Sequence, residues 1–343
     1  MPAIAVSEKL NSSRNTDYSN QITKLPILIL NVHERCNCRC LMCDIWKRDS
    51  NGELNVKSLT HHRDSIINLG VRQIVLTGGE PLMHSNLGAI CSFLKECGVT
   101  ITLLSTGLLL RKRADLVASS VDEIIVSLDG PEEIHDRVRR VRGAFQLMRE
   151  GILAVRRLNP KMPIHGRTTV QKANHTLLRQ TVQAAHSLGL DSISFLAADV
   201  TSQAFNRELV WPGERQSEIA LSMDEVDALD MEIDLLLRKF GADIRSKYIV
   251  EPEEKLRRIS RHFWAYLGQI PAEAPRCNAP WVSAVVEVDG TVRPCFFHPK
   301  IGSIKTANLE EALNNETAQT FRSTLDVSQN PVCQRCVCSL HYK

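Results

Sequence analysis

The sequence predicts an α/β fold in which parallel strands and covering helices alternate and wind into an open or closed barrel. Between residues 25 and 196, six short apolar segments alternate with segments whose apolar residues have helical spacing. The apolar segments lack polar alternation, as expected for parallel strands that helices cover. Glycine-rich or polar residues directly follow several of these strands, at the edge where α/β barrels carry their chemistry. The motifs and the inferred topology therefore agree.

The predicted elements of this part alternate along the chain. The predicted strands are Leu25–Val32, Val71–Thr77, Thr100–Leu104, Glu123–Leu128, Ile164–Val170 and Ser192–Leu196. The predicted helices are Val56–Leu69, Ser85–Cys97, Lys112–Ala118, Ala144–Leu158 and Leu177–Leu188. Right-handed crossovers would bring the strands of such units into one sheet.

The rest of the chain is predicted to form a helical connector and a small C-terminal domain. A capping-box signature at Ser222 opens a helix that runs to Phe240. A second helix is expected over Glu253–Leu267, and a hairpin over Ala284–Phe296. The predicted domains are a flexible tail (1–24), the barrel (25–196), a mainly helical connector that could cover substrate (197–275) and the C-terminal domain (276–343).

Charge and hydropathy argue against two classes of partner. The formal net charge of +3 on 343 residues gives no broad basic face, so nucleic acid is not expected as the main partner. The longest apolar run, Leu25–Leu30, is too short to cross a bilayer, so no membrane is expected. The first 20 residues lack the apolar core of an export signal, which predicts a cytoplasmic protein.

The chain has eleven cysteines, and four of them lie within eight residues, directly after the first strand. Clustering without an export signal favours metal or cluster ligation over disulfides. Cys36, Cys40 and Cys43 have C-x3-C-x2-C spacing. An iron–sulfur cubane normally has four thiolate ligands, so three would leave one iron open to another ligand. Zinc accepts the same thiolates.

Three motifs occur in order along the chain: C-x3-C-x2-C after the first strand, GGEP at 78–81 and SLDG at 127–130. In this combination, residues 25–196 resemble the radical S-adenosylmethionine (SAM) superfamily. The resemblance implies a partial, TIM-like (β/α)6 barrel and a [4Fe–4S] cluster on the three spaced cysteines. It also implies that SAM chelates the open iron and, after one-electron reduction, yields a 5′-deoxyadenosyl radical that takes hydrogen from substrate. A flavodoxin or ferredoxin would supply the electron.

The same resemblance implies contacts to SAM. Gly78, Gly79 and Glu80 would hold the methionyl amino group, where a carboxylate facing an ammonium makes electrostatic sense. Ser127 and Asp129 stand where the family contacts the ribose or the methionyl end. Weaker candidates for the same ligand are Ser105, Arg139 and Arg167.

Two residues of the cysteine loop are not accounted for by the family pattern. Met42 stands where the family usually has an aromatic residue before the third cysteine. Cys38 is interpreted as a bystander because Cys36 supplies the family spacing. The alternative is that Cys38 is a ligand in a C-x-C-x2-C set.

The C-terminal cysteines supply a second full set of four ligands. Cys277-x17-Cys295 followed by Cys333-x2-Cys336 resembles the twitch domain, a shortened SPASM module. The resemblance implies a second, auxiliary [4Fe–4S] cluster on a β-hairpin and a short helix. Cys338 competes for the last position. A structural zinc site with four thiolate ligands is the alternative.

These features predict an enzyme of oxidoreductase type. A fully ligated auxiliary cluster suits oxidation of a substrate radical, and aminocyclitol antibiotic biosynthesis provides a family precedent. The expected substrate is a small polar metabolite of sugar, cyclitol or nucleoside type in specialised-metabolite biosynthesis. Peptide maturation and redox-neutral rearrangement or decarboxylation are the alternatives within the family, and a zinc-stapled binding protein is the alternative outside it. No residue is assigned to catalysis, and Trp211 is expected either to close over substrate or to pack.

Overall fold

The computed structural model describes residues 19–205, 207 and 209–343. The predicted flexible tail therefore lies mostly outside the described residues. The part of it that is described contacts the C-terminal domain. The Ile22 amide donates to Asn314 Oδ1 at 2.7 Å, and Arg322 Nε donates to the Asn20 carbonyl at 2.6 Å.

The predicted alternation of strands and helices is present. The strands are β1 (Ile27–His33), β2 (Gln73–Gly78), β3 (Thr100–Ser105), β4 (Glu123–Ser127), β5 (Ile164–Val170), β6 (Ser192–Ala197), β7 (Ser283–Val286), β8 (Thr291–Arg293) and β9 (Gly302–Ser303). The helices of the first part are α1 (Val56–Thr60), α2 (Arg63–Asn68), α3 (Leu87–Glu96), α4 (Ala114–Ser120), α5 (Glu132–Arg139), α6 (Ala144–Leu158) and α7 (Leu178–Ser187). Those of the second part are α8 (Gly213–Ser217), α9 (Met223–Lys239), α10 (Gly241–Arg245), α11 (Glu253–Tyr266), α12 (Ala279–Val282), α13 (Leu309–Asn314), α14 (Glu316–Thr324) and α15 (Pro331–Gln334). None of these helices is long and apolar enough to span a membrane.

One mixed sheet organises the described residues, with strand order β6-β5-β4-β3-β2-β1-β7-β8-β9. Strands β1 to β6 are parallel neighbours and form a partial (β/α)6 barrel that does not close. Strand β7 pairs in parallel with the free side of β1, with Ile27 opposite Ser283. The β7–β8 hairpin therefore extends the barrel sheet.

The two faces of the sheet have different surroundings. Residues such as Leu28 and Leu76 pack with the helices in the main core. The opposite, inner face carries Ile27, Ile29 and Val75, which form a second apolar cluster with residues of the C-terminal domain, including Cys295. The C-terminal domain thus packs against the inside of the partial barrel.

A row of polar side chains closes the amino-terminal end of the barrel interior. Gln73 Nε2 donates to Thr102 Oγ1 at 2.8 Å and to Glu123 Oε1 at 3.1 Å. The Thr102 hydroxyl donates to the same Glu123 oxygen at 2.6 Å. His165 lies 2.8 Å from Ser192 Oγ and 3.8 Å from the Glu123 carboxylate. These side chains form hydrogen bonds with one another, so we look for the functional site at the opposite, carboxyl end of the strands.

The structure corrects the predicted elements of the barrel at two places. The helix predicted over Val56–Leu69 is two helices, because the His62 amide bonds to the Leu59 carbonyl in a tighter i→i−3 turn. Helix α5 was not predicted, because its sequence, EEIHDRVR, carries no broad apolar stripe.

Candidate functional site

The cysteine loop follows β1 and is held by backbone hydrogen bonds on two sides. The amides of Gly79 and Glu80, at the end of β2, each donate at 2.8 Å to the carbonyls of His33 and Arg35. On the other side, the amides of Arg39 and Leu41 donate to carbonyls at the end of α5, at 3.1 and 3.0 Å. The loop is thus fixed between the end of strand β2 and the end of helix α5.

The two glycines of the GGEP motif permit the close approach of β2 to the cysteine loop. A Cβ at Gly79 would lie 2.0 Å from the Arg35 carbonyl oxygen, and one at Gly78 would lie 2.4 Å from that of His33. Gly78 also has φ of +130°, which other residues rarely adopt. The structure therefore gives both glycines a role in positioning the loop, and their contact with SAM stays a prediction.

Glu80 is fully buried at this junction. Its carboxylate accepts hydrogen bonds from the Leu82 amide at 3.1 Å, the Ser105 hydroxyl at 2.9 Å, and the Thr106 amide and hydroxyl at 2.7 and 2.6 Å. Burial raises the pKa of Glu80, and these hydrogen bonds oppose the rise. The structure thus brings together two predicted SAM-binding residues, Glu80 and Ser105, and adds Thr106, which also lies 3.0 Å from Asn37 Oδ1.

The thiols of the loop are close neighbours. The Cys38 thiol is in hydrogen-bonding contact with Cys36 and Cys40 and is buried with Cys40. The hydrogen bond with Cys38 and the positive charge of Arg139 lower the pKa of Cys40 to about 6, against the effect of burial. Burial raises the pKa of Cys43 to about 12. Because Cys38 lies between two predicted ligands, its interpretation as a bystander stays a prediction.

Asp129 and Arg139 form a buried ion pair behind the loop. Arg139 Nε lies 2.6 Å from Asp129 Oδ2, and Arg139 Nη1 donates to Cys40 Sγ at 3.4 Å. His135 is buried, and its Nδ1 accepts a hydrogen bond from the Asp129 amide at 3.3 Å. Burial lowers the pKa of His135 to about 3. A neutral histidine thus helps to hold Asp129 in place, a positioning role that the sequence analysis did not predict.

Arg167 lies elsewhere. Its position on β5 is opposite Ser127 on β4, so both residues belong to the inner face of the barrel. Arg167 Nε donates to Ser194 Oγ at 3.2 Å. Burial lowers the pKa of Arg167, and its neighbours Cys338 and Glu251 oppose this effect. The structure therefore places Arg167 beside the C-terminal domain, whereas Glu80, Ser105, Asp129 and Arg139 lie around the cysteine loop.

The C-terminal cysteines surround a cavity with an empty volume of about 450 Å³. All four predicted ligands line this cavity, namely Cys277, Cys295, Cys333 and Cys336. Cys338 and His298 line it as well. None of the carboxylates in the described part of the chain lines this cavity. Burial raises the pKa of Cys295 to about 12 and that of Cys333 to about 11, so these thiols need a metal to ionise. His298 Nε2 lies 3.3 Å from Cys333 Sγ and was not predicted from the sequence.

The donor set fits an iron–sulfur cluster. Thiolates are the ligands that such clusters use. Among the residues that the structure describes, no three His, Cys, Asp or Glu side chains are arranged to hold a single metal ion. The ligands of a four-iron cubane surround a larger body than one zinc ion, so the spread of thiols around this cavity suits a cluster better.

The segment after β6 is fastened to the outer end of the cysteine loop. Trp211 Nε1 donates to Asp44 Oδ2 at 2.7 Å. The guanidinium groups of Arg207 and Arg215 stack on the Trp211 ring, at 3.9 and 4.6 Å from its centroid. Arg207 also pairs with buried Asp199 at 2.6 Å. Trp211 therefore packs on the loop, which is one of the two roles expected for it.

Two family models match the chain. The radical SAM superfamily matches residues 30–172, and the iron–sulfur cluster-binding SPASM domain matches residues 277–337. These two segments contain the cysteine loop and the C-terminal cysteine cavity respectively.

Curated relatives and solved structures agree with these matches. The AdoMet-dependent heme synthase of Methanosarcina barkeri is 29% identical over 203 residues, which are 55% of this chain and 58% of that protein. The subtilosin biosynthesis protein AlbA of Bacillus subtilis is 24% identical over 89% of this chain and 63% of its own length. This chain thus spans less than two thirds of either relative.

The fold is that of Streptococcus suis SuiB bound to S-adenosylmethionine, with a TM-score of 0.64 at 13% identity over 94% of this chain and 74% of SuiB. A second structure shows SuiB bound to the precursor peptide SuiA. The motifs, the open barrel and the two matched domains lead to one assignment. The chain has a radical SAM domain followed by a C-terminal SPASM-type iron–sulfur cluster-binding domain, and these domains imply SAM, a [4Fe–4S] cluster and auxiliary iron–sulfur ligation.

Proposed function

We propose that this enzyme cleaves SAM reductively and oxidises a small polar metabolite of sugar, cyclitol or nucleoside type held between its two cysteine sites. Cys36, Cys40 and Cys43 would hold the cluster that binds SAM. The C-terminal four, Cys277, Cys295, Cys333 and Cys336, would hold the auxiliary cluster. When bound, these groups supply a 5′-deoxyadenosyl radical and an electron acceptor.

One observation carries the choice of substrate class: charged side chains gather near the auxiliary cavity, with Arg167 on β5, Glu251 beside the edge strand β6 and Arg258 on α11. Arg167 and Glu251 act on each other electrostatically, and Arg167 also acts on Cys338. Arg258 Nη2 donates to the Cys336 carbonyl at 2.9 Å, next to the same group. These side chains are partly buried, and ionic groups withdrawn from water are stabilised when they are paired or bind something polar. They would suit the hydroxyl and charged groups of a polar metabolite.

Glu251 is suited to take the proton that an oxidation releases. Burial raises the pKa of Glu251 to about 7, against the opposing effects of the Phe195 amide and of Arg167. The Phe195 amide donates to Glu251 Oε2 at 2.9 Å. A group with a pKa near the working pH is well matched to proton transfer. In the proposed reaction the substrate radical loses one electron to the auxiliary cluster and one proton to Glu251.

Peptide maturation is the second candidate, and one comparison favours it. AlbA, a bacteriocin biosynthesis protein, aligns with 89% of this chain, far more than the heme synthase. The similarity to SuiB supports the fold alone at 13% identity. A peptide substrate would still use both cysteine sites.

One experiment separates the two candidates. Anaerobically reconstituted protein is incubated with SAM, dithionite and cell extract of the source organism, split by ultrafiltration into metabolite and peptide fractions. We expect 5′-deoxyadenosine formation to rise above the substrate-free rate with the metabolite fraction, and the peptide fraction to have no effect. Stimulation by the peptide fraction alone, abolished by protease, would replace our proposal with peptide maturation.

A further inference from the structure

His298 contacts two of the predicted auxiliary ligands at once. It follows strand β8, lines the cysteine cavity and is only 4% exposed. Its backbone and that of Phe297 are hydrogen-bonded to the sulfur of Cys295. Its side-chain Nε2 lies 3.3 Å from Cys333 Sγ. Because Cys295 follows β8 and Cys333 lies in α15, this one residue joins ligands from two separate elements.

The His298 ring and its partner sulfur are both held in position. Arg293 Nη1 donates to the His298 carbonyl at 3.2 Å, which fixes the backbone at this residue. The ring of Phe321 on α14 packs edge-on against the imidazole, with 4.9 Å between the ring centroids. On the other side, Asn330 Oδ1 accepts the Cys333 amide at 3.3 Å and caps α15. The contact between the imidazole and the sulfur is therefore built into the domain.

The sulfur of Cys333 differs from the sulfurs of the other three predicted ligands. Backbone groups are hydrogen-bonded to the sulfurs of Cys277, Cys295 and Cys336. Within the part of the chain that the structure describes, no backbone group has this role at Cys333. The imidazole of His298 takes the place of the missing backbone donor.

The direction of this hydrogen bond follows from the chemistry of the cysteine. A cysteine that ligates iron is a thiolate and has no proton, so the hydrogen between the two residues lies on Nε2 of His298 and the imidazole donates. A hydrogen bond to a charged acceptor is stronger than one between neutral groups. Reduction adds negative charge to a cluster and its sulfurs, so a donor to a sulfur stabilises the reduced form more than the oxidised form.

We propose that His298 raises the reduction potential of the auxiliary cluster through its hydrogen bond to Cys333. This inference rests on the proposed oxidation, in which the substrate radical loses one electron to that cluster and one proton to Glu251. A higher potential makes the cluster a better electron acceptor. His298 acts through Cys333 and does not itself touch substrate, so it is a positioning residue.

The test measures the auxiliary site by itself. A Cys36→Ala/Cys40→Ala/Cys43→Ala background removes the predicted ligands of the other cluster, and the potential is followed by electron paramagnetic resonance. At the midpoint potential of this background, His298→Phe should lower the ratio of reduced to oxidised cluster about tenfold, a shift of about 59 mV to more negative potential. His298→Gln supplies a side-chain amide donor and should recover most of the shift.

The matched control is His61→Phe, which changes an exposed histidine outside the cavity. It should keep the midpoint potential of the background.

A second measurement uses the unsubstituted His298 side chain and does not depend on how the variants fold. Pulsed electron paramagnetic resonance of the reduced background detects nitrogen nuclei near the cluster. A hydrogen-bonded imidazole should give a weak nitrogen coupling that His298→Phe lacks. A strong coupling, of the kind that an iron-bound nitrogen gives, would make His298 a ligand and overturn the proposal.

The remaining outcomes separate this proposal from the proposed function. An unchanged midpoint potential in His298→Phe, or equal shifts in His298→Phe and His298→Gln, overturns the tuning role and leaves the proposed function standing. Loss of the auxiliary iron from His298→Phe shows that His298 holds the cluster, which also overturns tuning. The expected shift in a protein that forms no oxidised product supports tuning and overturns the oxidation. A background without iron overturns both.

Discussion

The protonation state of Glu251 is set by its charged neighbours and by burial. Arg167 and Lys255 are the cations that act on Glu251, and both favour its ionised form. Burial outweighs them and brings its pKa to about 7. The carboxylate is consequently protonated below neutral pH and able to accept a proton only above it.

This protonation gives a pH prediction. Product formed per SAM cleaved should rise as the pH increases through about 7, because only ionised Glu251 accepts the substrate proton. Glu251→Gln should lose this rise and slow oxidation by about 100-fold, the lower end of general-base effects. SAM cleavage should continue. The measurement is the ratio of oxidised product to 5′-deoxyadenosine at a series of pH values from about 6 to about 8.5.

The matched control is Glu254→Gln, which changes an exposed carboxylate three positions away on α11. It should keep the parental pH profile. If Glu251→Gln also keeps that profile, Glu251 does not take the proton.

At the residue scale, motif identity was predictable but the contacts were not. The GGEP and SLDG motifs are visible in the sequence, yet the bonds from Ser105 and Thr106 to Glu80 join residues 25 and 26 positions apart. His298 and Glu251 stand outside any recognised motif. His298 is buried at the cysteine cavity and partly buried Glu251 lies near Arg167, and only the folded chain shows these positions.

At the scale of secondary-structure elements, strand β2 positions the cysteine loop, because the end of β2 is in close contact with that loop. Gly79→Ala should displace the loop, because the new Cβ would lie 2.0 Å from the Arg35 carbonyl. We expect the variant to hold about half the iron of the parent, with the loss confined to the cluster on the cysteine loop. Iron and sulfide analysis with electron paramagnetic resonance of the reduced protein measures this loss.

Gly213→Ala is the control, because a Cβ there meets no atom within 4 Å. It should keep the parental iron content. Full iron content and SAM cleavage in Gly79→Ala would show that the loop accommodates the side chain and that the contact does not position the cluster.

Among the elements, local pattern predicted the buried strands well and the polar helix α5 poorly. Helix α6 has the predicted bounds, Ala144–Leu158, because long apolar periodicity is a strong signal. Strand β5 also has its predicted bounds, Ile164–Val170. Pairing of β7 with β1 joins residues more than 250 positions apart, and nothing in the hairpin sequence identifies its partner strand. Fold class was therefore predictable, whereas the attachment of the C-terminal domain was not.

At the scale of the whole molecule, the shared sheet places two cysteine sites at one partial barrel, with different tasks in the proposed reaction. Cys333→Ala should leave SAM cleavage within about threefold of the parent, because the cysteine loop keeps its predicted ligands. It should abolish substrate oxidation, because the electron acceptor is lost. Parallel assays of 5′-deoxyadenosine and of oxidised product test both statements.

Cys97→Ala provides the comparison, since Cys97 caps α3 outside both cysteine sites. It should retain both activities. A Cys333→Ala variant that oxidises substrate at the parental rate would show that the auxiliary site is not needed for turnover.

The most direct test of the central claim is SAM cleavage by single cysteine variants of the loop. With dithionite and SAM, the parent should form 5′-deoxyadenosine, and Cys36→Ala, Cys40→Ala and Cys43→Ala should form none, because each removes a predicted cluster ligand. Cys38→Ala should retain cleavage. Parental rates in any of the first three variants, or loss of cleavage in Cys38→Ala, would contradict the ligand assignment, and a parent that makes no 5′-deoxyadenosine would contradict the proposed function itself.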